Sequence, residues 1–158
     1  MSFSQTDITN MNNAESHAKA PVAEGWKMGQ GKCVFNPSAN TSERTVGAHG
    51  LGLTIPKNAL VTGAWYKVLT TFASPTTDDA TIALKIVAAN DVVSAVSIDT
   101  GTTWDAAGAI ECIPVIETTS TWLTTTADSE VTATIAVEAV TAGKMVIWVQ
   151  WLYFGDQV

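Results

Sequence analysis

Hydrophobic positions alternate with small or polar ones along several short stretches, which is the side-chain period of β-strands. The alternation is clearest in three runs within residues 51–87, separated by turn sequences such as Ser74-Pro75. It returns in residues 131–138, after which an Ala-Gly turn leads into a last run at 144–154. Short antiparallel runs joined by turn residues predict one antiparallel β domain.

The number of runs predicts the fold class. Eight or nine short strands without a long helix predict an all-β, two-sheet antiparallel sandwich, in particular a jelly roll. An immunoglobulin-like topology is the alternative, although the Cys and Trp positions do not follow its pattern. Residues 92–98 fit a helical turn or a strand, and 118–128 fit a loop or a weak strand. Pro114 makes the run at 110–116 an edge or bulged strand.

The first 30 residues differ from the rest. They are polar and show no sustained period, so the sequence divides into an N-terminal segment, 1–30, and a sandwich domain, 31–158. The segment is either a disordered tail or an extended arm that orders against a partner. The isolated aromatic and sulfur side chains Trp26 and Met28 favour the arm.

Composition suggests a protein that hides much of its surface. Of the 158 residues, 46% are hydrophobic and only 15% are charged, against roughly 25% in ordinary soluble domains. A formal charge of −7 argues against a nucleic-acid partner, because phosphate binding requires clustered cations. Neither a membrane-spanning run nor a secretory signal is evident, so we expect no membrane partner and synthesis in a cytoplasm.

The two cysteines, Cys33 and Cys112, are each flanked by apolar residues. A disulfide requires their strands to be neighbours. Without an export signal, two buried free thiols are the favoured interpretation.

Catalytic motifs are missing from the sequence. The two histidines, His17 and His49, have no nucleophile context, and no zinc, nucleotide or hydrolase motif occurs. The carboxylate candidates for sugar cleavage or calcium binding are Asp78-Asp79 and Asp99 with Asp105. Turn aspartates usually bond to the local backbone. We therefore predict no enzymatic activity, no metal and no cofactor.

Aromatic residues provide the remaining signal. The last run is apolar on both faces, which fits a central core strand or a strand with one face across a subunit boundary. The run at 61–72 is also apolar on both faces. Predicted contacts with a neighbouring subunit or other partner are Phe3, Trp26, Met28, Trp65, Tyr66, Trp148, Trp151 and Phe154. Two loop tryptophans, Trp104 and Trp122, are alternative glycan contacts.

Three segments carry a family resemblance: LGLTIPKNALVTGAWYKVLTTF; DDATIALKIVAANDVVSAVSI with the later GTTWDAAG; and TADSEVTATIAVEAVTAGKMVIWVQW. They cover residues 46–154, and in them the chain resembles small virion structural proteins of tailed bacteriophages, of the capsid decoration, cement or head-fibre type. The first 45 residues lie outside the resemblance.

The resemblance implies a β-sandwich that forms a homotrimer and binds the major capsid protein on the outside of an icosahedral shell. It places the protein on the capsid exterior, after assembly in the host cytoplasm. The alternative is a receptor- or glycan-binding head-fibre or tail protein with the same fold.

Overall fold

The computed structural model of the chain describes residues 27–99, 103–105, 109–113 and 122–153. A 3₁₀ turn spans Thr41–Arg44 and begins after Asn40, whose side chain accepts a hydrogen bond from the backbone of Ser42. The strands of the described part are β1 (Lys27–Phe35), β2 (Gly47–Ile55), β3 (Ala59–Ala73), β4 (Thr81–Lys85), β5 (Val93–Ser97), β6 (Ala109–Ile113), β7 (Leu123–Thr124), β8 (Ser129–Ala136) and β9 (Ala142–Tyr153).

The strands form two antiparallel sheets. The five-stranded sheet has the order β1-β9-β3-β6, with β7 also pairing with β3, and the four-stranded sheet has the order β2-β8-β4-β5. The predicted two-sheet antiparallel sandwich is therefore confirmed. The first strand pairs with the last, and the chain passes repeatedly between sheets, an order compatible with the double Greek key of a jelly roll.

The structure assigns a secondary structure to the segments for which the sequence allowed two alternatives. Residues 93–97 form a strand, residues 123–124 form a strand of two residues, and β6 lies at an edge of its sheet, one of the two positions predicted for the run at 110–116. Pro114 itself lies outside the described residues. One boundary is corrected: β1 begins at Lys27, so residues 27–30 pair with β9 and belong to the sandwich. In the part that the structure describes, no helix has the length and hydropathy to cross a membrane.

Side chains along each strand point alternately into and out of the sandwich, and the inward ones form the core. In β9, Met145, Ile147 and Val149 are buried, whereas the residues between them face outward and are only partly covered. In β3, Tyr66 and Val68 are buried in the same way. Burying apolar surface stabilises the fold by about 25 cal/mol per Å². The last strand is thus a central strand with one core face and one outer face.

Aspartates close two of the turns. Asp78 has φ 56° and accepts a hydrogen bond from the backbone of Ser74 at 2.7 Å. Asp91 accepts three hydrogen bonds from consecutive backbone N–H groups, of Ile86, Val87 and Ala88, at 2.7–2.9 Å. The structural role expected for Asp78 is present. Within the described ranges, no three His, Cys, Asp or Glu side chains are grouped so as to hold a metal ion.

Both cysteines are buried, and neither forms a disulfide, as the favoured interpretation predicted. Cys33 lies in β1 and Cys112 in β6, with β9 and β3 between them. Three interstrand spacings amount to roughly 14 Å. Because a disulfide requires Cα atoms within about 7 Å of each other, the two thiols cannot pair in this fold.

We predict that Cys33 resists thiol reagents while the protein is folded. Burial raises the pKa of its thiol to about 12, and the nearby Glu130 carboxylate adds to the rise. Since the thiolate is the reactive form, 5,5′-dithiobis(2-nitrobenzoate) at pH 8 should label Cys33 only after unfolding. The measurement uses Cys112→Ser, which leaves one thiol. Rapid labelling of the folded variant, at a rate near that in guanidinium, would contradict the assignment of Cys33 to the core.

Candidate binding surface

The outer face of the five-stranded sheet carries several large side chains that are not part of the core. In β1 the odd positions from 29 to 35 point inward and the even positions point outward, and pairing extends this division to β9 and β3. The outer face consists of Met28, Gln30, Lys32 and Val34 from β1, Val146, Trp148, Gln150 and Leu152 from β9, and Leu60, Trp65 and Lys67 from β3.

The strand register arranges this face in rows. Lys32, Trp148, Trp65 and Glu111 are paired in one row across β1, β9, β3 and β6. The adjacent row contains Gln30, Gln150 and Gly63. These two rows line a cleft of about 260 Å³. Both tryptophans are partly exposed there.

A glycine makes room for one wall of the cleft. A Cβ atom built on Gly63 would lie 3.0 Å from the six-membered ring of Trp65 and 3.5 Å from Oε1 of Gln150. Any side chain at position 63 would therefore displace the indole or the amide. The chain also bulges here, because β3 places two residues, Thr62 and Gly63, where its partner β9 has one. Gly63 and the bulge together set the position of Trp65 on the sheet.

The polar groups of the cleft are available to a ligand. Within the described ranges, no hydrogen bond to another residue engages the amides of Gln30 and Gln150, the ammonium of Lys32, or the indole N–H groups of Trp65 and Trp148. Two donor–acceptor amides, one cation and two further donors thus surround two aromatic rings. This combination suits a ligand that is apolar on its faces and polar at its edges.

One end of the outer face is apolar. There Met28 pairs with Leu152, which also pairs with Leu60, and Met28 is 78% exposed. Lys27 and Tyr153 are paired at the same end, so residues 1–26 and 154–158 both join the sandwich there. We call Met28, Leu60 and Leu152 the apolar end.

The register places three lysines and one glutamate, Glu111, on or beside the outer face. Lys32 and Lys67 lie on it, and Lys144, paired with Thr70, extends it along β9. They are among eight basic residues in a chain of net charge −7. Charge attraction therefore favours an acidic partner at this face over a basic one.

The other sheet presents a different surface. Its outer face carries a depression of about 320 Å³ lined mainly by small side chains, among them Ala48, Ala83, Thr134 and Ala136. Its lining includes Lys85 but no aromatic side chain. The candidate surface of the described sandwich therefore lies on the five-stranded sheet.

The structure brings together only some of the contact residues predicted from the sequence. Trp65, Trp148 and Met28 share the outer face. Trp151 points inward instead, and its indole covers Gly29 and packs against the core. Phe3, Trp26 and Phe154 lie outside the described residues.

Two predicted contact residues are core residues, which corrects the sequence analysis. Tyr66 is 1% exposed and Trp104 is 0% exposed. Side chains without exposed surface cannot touch a glycan or a neighbouring subunit. The other loop tryptophan, Trp122, is 56% exposed and precedes β7, so it keeps the exposure that a contact requires.

The polar residues of the cleft, Gln30, Lys32 and Gln150, were not among the contact residues predicted from the sequence. Their local signal is an alternation: Gln30 and Lys32 are two residues apart, and Gln150 follows Trp148 by two. Spacing of two places such residues on one face of a strand. That spacing does not indicate which strands pair with each other, so the cleft could not be predicted from the sequence.

No protein-family model and no curated protein matches the chain. Solved structures do resemble it in fold. A chain from the capsid of Helicobacter pylori bacteriophage KHP30 matches with TM-score 0.54 and 13% identity, over 79% of this chain and 86% of its own. A chain of the cyanophage Pam1 capsid matches with TM-score 0.52 and 20% identity, over 81% and 84%. A chain of the Ralstonia phage GP4 capsid matches with TM-score 0.52 and 16% identity, over 82% and 86%. The chain thus shares its fold with chains found in three phage capsids.

Proposed function

We propose that the protein is a structural component of a bacteriophage virion that binds the outer capsid surface as a homotrimeric decoration, or cement, protein. The observation that carries the proposal is the fold similarity to chains of three phage capsids, which extends over about four fifths of the sequence. Each similarity also covers most of the matched chain, so the resemblance concerns a whole small domain.

The composition supports a protein that works in an assembly. Charged residues make up only 15% of the chain, and large apolar side chains remain exposed on the isolated sandwich. Examples are Met28 at 78%, Leu69 at 50% and Trp122 at 56%. Exposed apolar patches commonly mark protein interaction sites, and at the apolar end Met28 pairs with Leu152, which pairs with Leu60. In this proposal the apolar end contacts the major capsid protein or a neighbouring copy.

The N-terminal segment has a specific part in the proposal. Residues 1–26 join the sandwich at the apolar end, and we propose that they extend over neighbouring major capsid subunits as a clamp. A protein that binds the assembled lattice more tightly than the free subunits stabilises the shell by mass action. The protein would thus act by binding alone, outside the shell, after assembly in the host cytoplasm.

Deletion of residues 1–26 tests the clamp. The deletion ends before β1, so the sandwich should keep its melting temperature within a few degrees while co-sedimentation with undecorated capsids is lost. The matched control is Ala83→Ser, which changes the outer face of the other sheet by one hydroxyl and should bind normally.

Three outcomes would count against the proposal in different ways. Normal capsid binding by the truncated protein would exclude the clamp. A monomeric or dimeric mass in light scattering, both free and bound, would exclude the homotrimer. Full-length protein that fails to bind capsids, or that electron microscopy places on the tail, would exclude capsid decoration itself.

A further inference from the structure

We infer that the cleft between Trp65 and Trp148 is a carbohydrate-binding site, and that its ligand is a pyranose oligosaccharide containing uronic acid. The inference goes beyond a capsid-binding role, because a decoration protein needs no sugar site. It rests on the two adjacent rows of the outer face, which combine paired aromatic rings, paired amides and one cation.

The aromatic rings supply the apolar contact that a sugar ring requires. A pyranose has axial C–H groups on its faces, and these pack favourably against the electron-rich face of an indole. Trp65 and Trp148 are directly opposed on β3 and β9. Both are only partly exposed, so little conformational freedom remains to be lost when a ligand binds.

The amides supply contacts for the hydroxyl groups at the sugar's edge. Each glutamine amide offers both a carbonyl acceptor and N–H donors, which suits vicinal hydroxyls that donate and accept. Gln30 and Gln150 are a cross-strand pair in the row next to the tryptophans. Rows of one face are two residues apart along a strand, about 7 Å. Substituents of a sugar held at the tryptophan row therefore fall within reach of the amides.

The same amides argue against a dry protein interface at this point. Covering these amides and the ammonium with an apolar partner would leave their hydrogen bonds unmade, which is unfavourable for each buried polar group. The cores of protein interfaces are correspondingly poor in charged residues. A hydroxylated ligand satisfies these groups, whereas the apolar end, one row beyond Gln30, suits a protein partner.

Lys32 favours acidic sugars at the β1 end of the row, three strands away from Glu111 at its β6 end. Lys32 occupies the same row as the tryptophans, so a carboxylate on a sugar bound there can accept a charge-assisted hydrogen bond from its ammonium. A single-stranded nucleic acid also combines stacking with negative charge. The net charge of −7 makes that ligand unfavourable, because its affinity depends on many phosphate contacts.

The cleft is small and rigid. Its volume of about 260 Å³ lies just below the usual range of small-molecule pockets, roughly 300–1,000 Å³. It therefore fits a short part of a chain, about one sugar ring, with the remainder lying across the sheet. The walls stand on β1, β9 and β3, so the hydrogen bonds of the sheet hold the site in place before the ligand arrives.

The experiment is calorimetric titration of the full chain with hexasaccharides of galacturonic acid, of hyaluronan and of maltose. We expect at least one acidic hexasaccharide to bind and maltohexaose to bind more weakly. Trp65→Ala and Trp148→Ala should each weaken binding about tenfold or more. Lys32→Met should remove the preference for the acidic chain. Lys85→Met, which removes a lysine from the outer face of the other sheet, is the matched control for Lys32→Met and should bind as the unmodified protein does.

The opposite results overturn the inference. No heat and no saturation-transfer signal from any of the three sugars, at up to about 10 mM, would exclude the site. If Trp148→Ala binds sugar as tightly as the unmodified protein does, the sugar binds elsewhere. Circular dichroism spectra of Trp148→Ala and of the more conservative Trp148→Phe check that the variants keep the fold. A change in oligomeric mass on Trp148→Ala without sugar binding would identify a protein interface instead. Capsid co-sedimentation of these variants is measured separately, so failure of this site is distinguishable from failure of the capsid proposal.

Discussion

Replacing Gly143 by alanine should destabilise the protein by about 3 kcal/mol or more, the largest effect that we expect from adding one methyl group. Gly143 has φ +138°, a conformation that L residues rarely adopt. A Cβ atom here would also overlap the ring of Phe72, which is 1% exposed in the core. Because the ring is packed on all sides, it cannot move away without displacing its neighbours.

A second glycine separates the two causes. Gly47 has φ +141°, but a Cβ atom there would meet nothing within 4 Å. Gly47→Ala should therefore show the backbone strain alone, about 1–3 kcal/mol. Urea unfolding of both variants measures the difference. If the two substitutions agree within about 0.5 kcal/mol, the overlap with Phe72 does not exist as described.

Gly143 also connects two distant parts of the chain. Its N–H donates to Oγ of Ser38 at 2.9 Å, and its carbonyl accepts from the N–H of Ser38 at 3.2 Å. The start of β9 is thereby fixed to the turn that follows β1. The strain at Gly143 is thus maintained by contacts on both sides, which is the condition under which such a backbone conformation persists.

A strand could be predicted from the sequence where its own apolar residues, at every second position, form the core. In β9, methionine, isoleucine and valine occupy every second position, and the prediction placed that strand within two residues of its observed ends. Central strands of this kind reveal themselves because each inward position must be apolar to be buried.

β1 shows why other parts of the fold could not be predicted from the sequence. Its inward positions 29 and 31 are glycines, and the space beside them is filled by Trp151 and by Leu53 from other strands. The apolar side chains that cover this part of β1 therefore belong to other strands, far away in the sequence. Between Lys27 and Lys32 the sequence has one isolated apolar residue, Met28, among polar and small ones, so the local period assigned residues 27–30 to the N-terminal arm.

The candidate cleft was hidden for a related reason. Trp65 and Trp148 are 83 positions apart in sequence and adjacent only because β3 and β9 pair in one register. A slip of one residue would turn either tryptophan to the opposite face. The residue types were visible in the sequence, but the register that assembles them depends on the whole sandwich.

Replacing Trp104 by alanine should cost about 3–5 kcal/mol of stability, even though the residue lies outside the strands. Its indole is completely buried, 5.1 Å from the ring of Tyr66 and 6.1 Å from that of Phe72, between ring centroids. Its Nε1–H donates to the carbonyl of Val96 in β5 at 3.0 Å. Trp104 therefore links β3 of one sheet to β5 of the other.

Thermal and urea unfolding test this link. Trp104→Ala should lower the melting temperature by about 10 °C. Trp104→Phe keeps an aromatic ring but loses the hydrogen bond, so its melting temperature should lie between those of Trp104→Ala and the unmodified protein. Trp122→Ala serves as the matched control, because a side chain that is 56% exposed should change stability by no more than about 0.5 kcal/mol. Equal stability of the Trp104 and Trp122 variants would mean that this loop tryptophan does not hold the two sheets together, and that its place in the core has been misassigned.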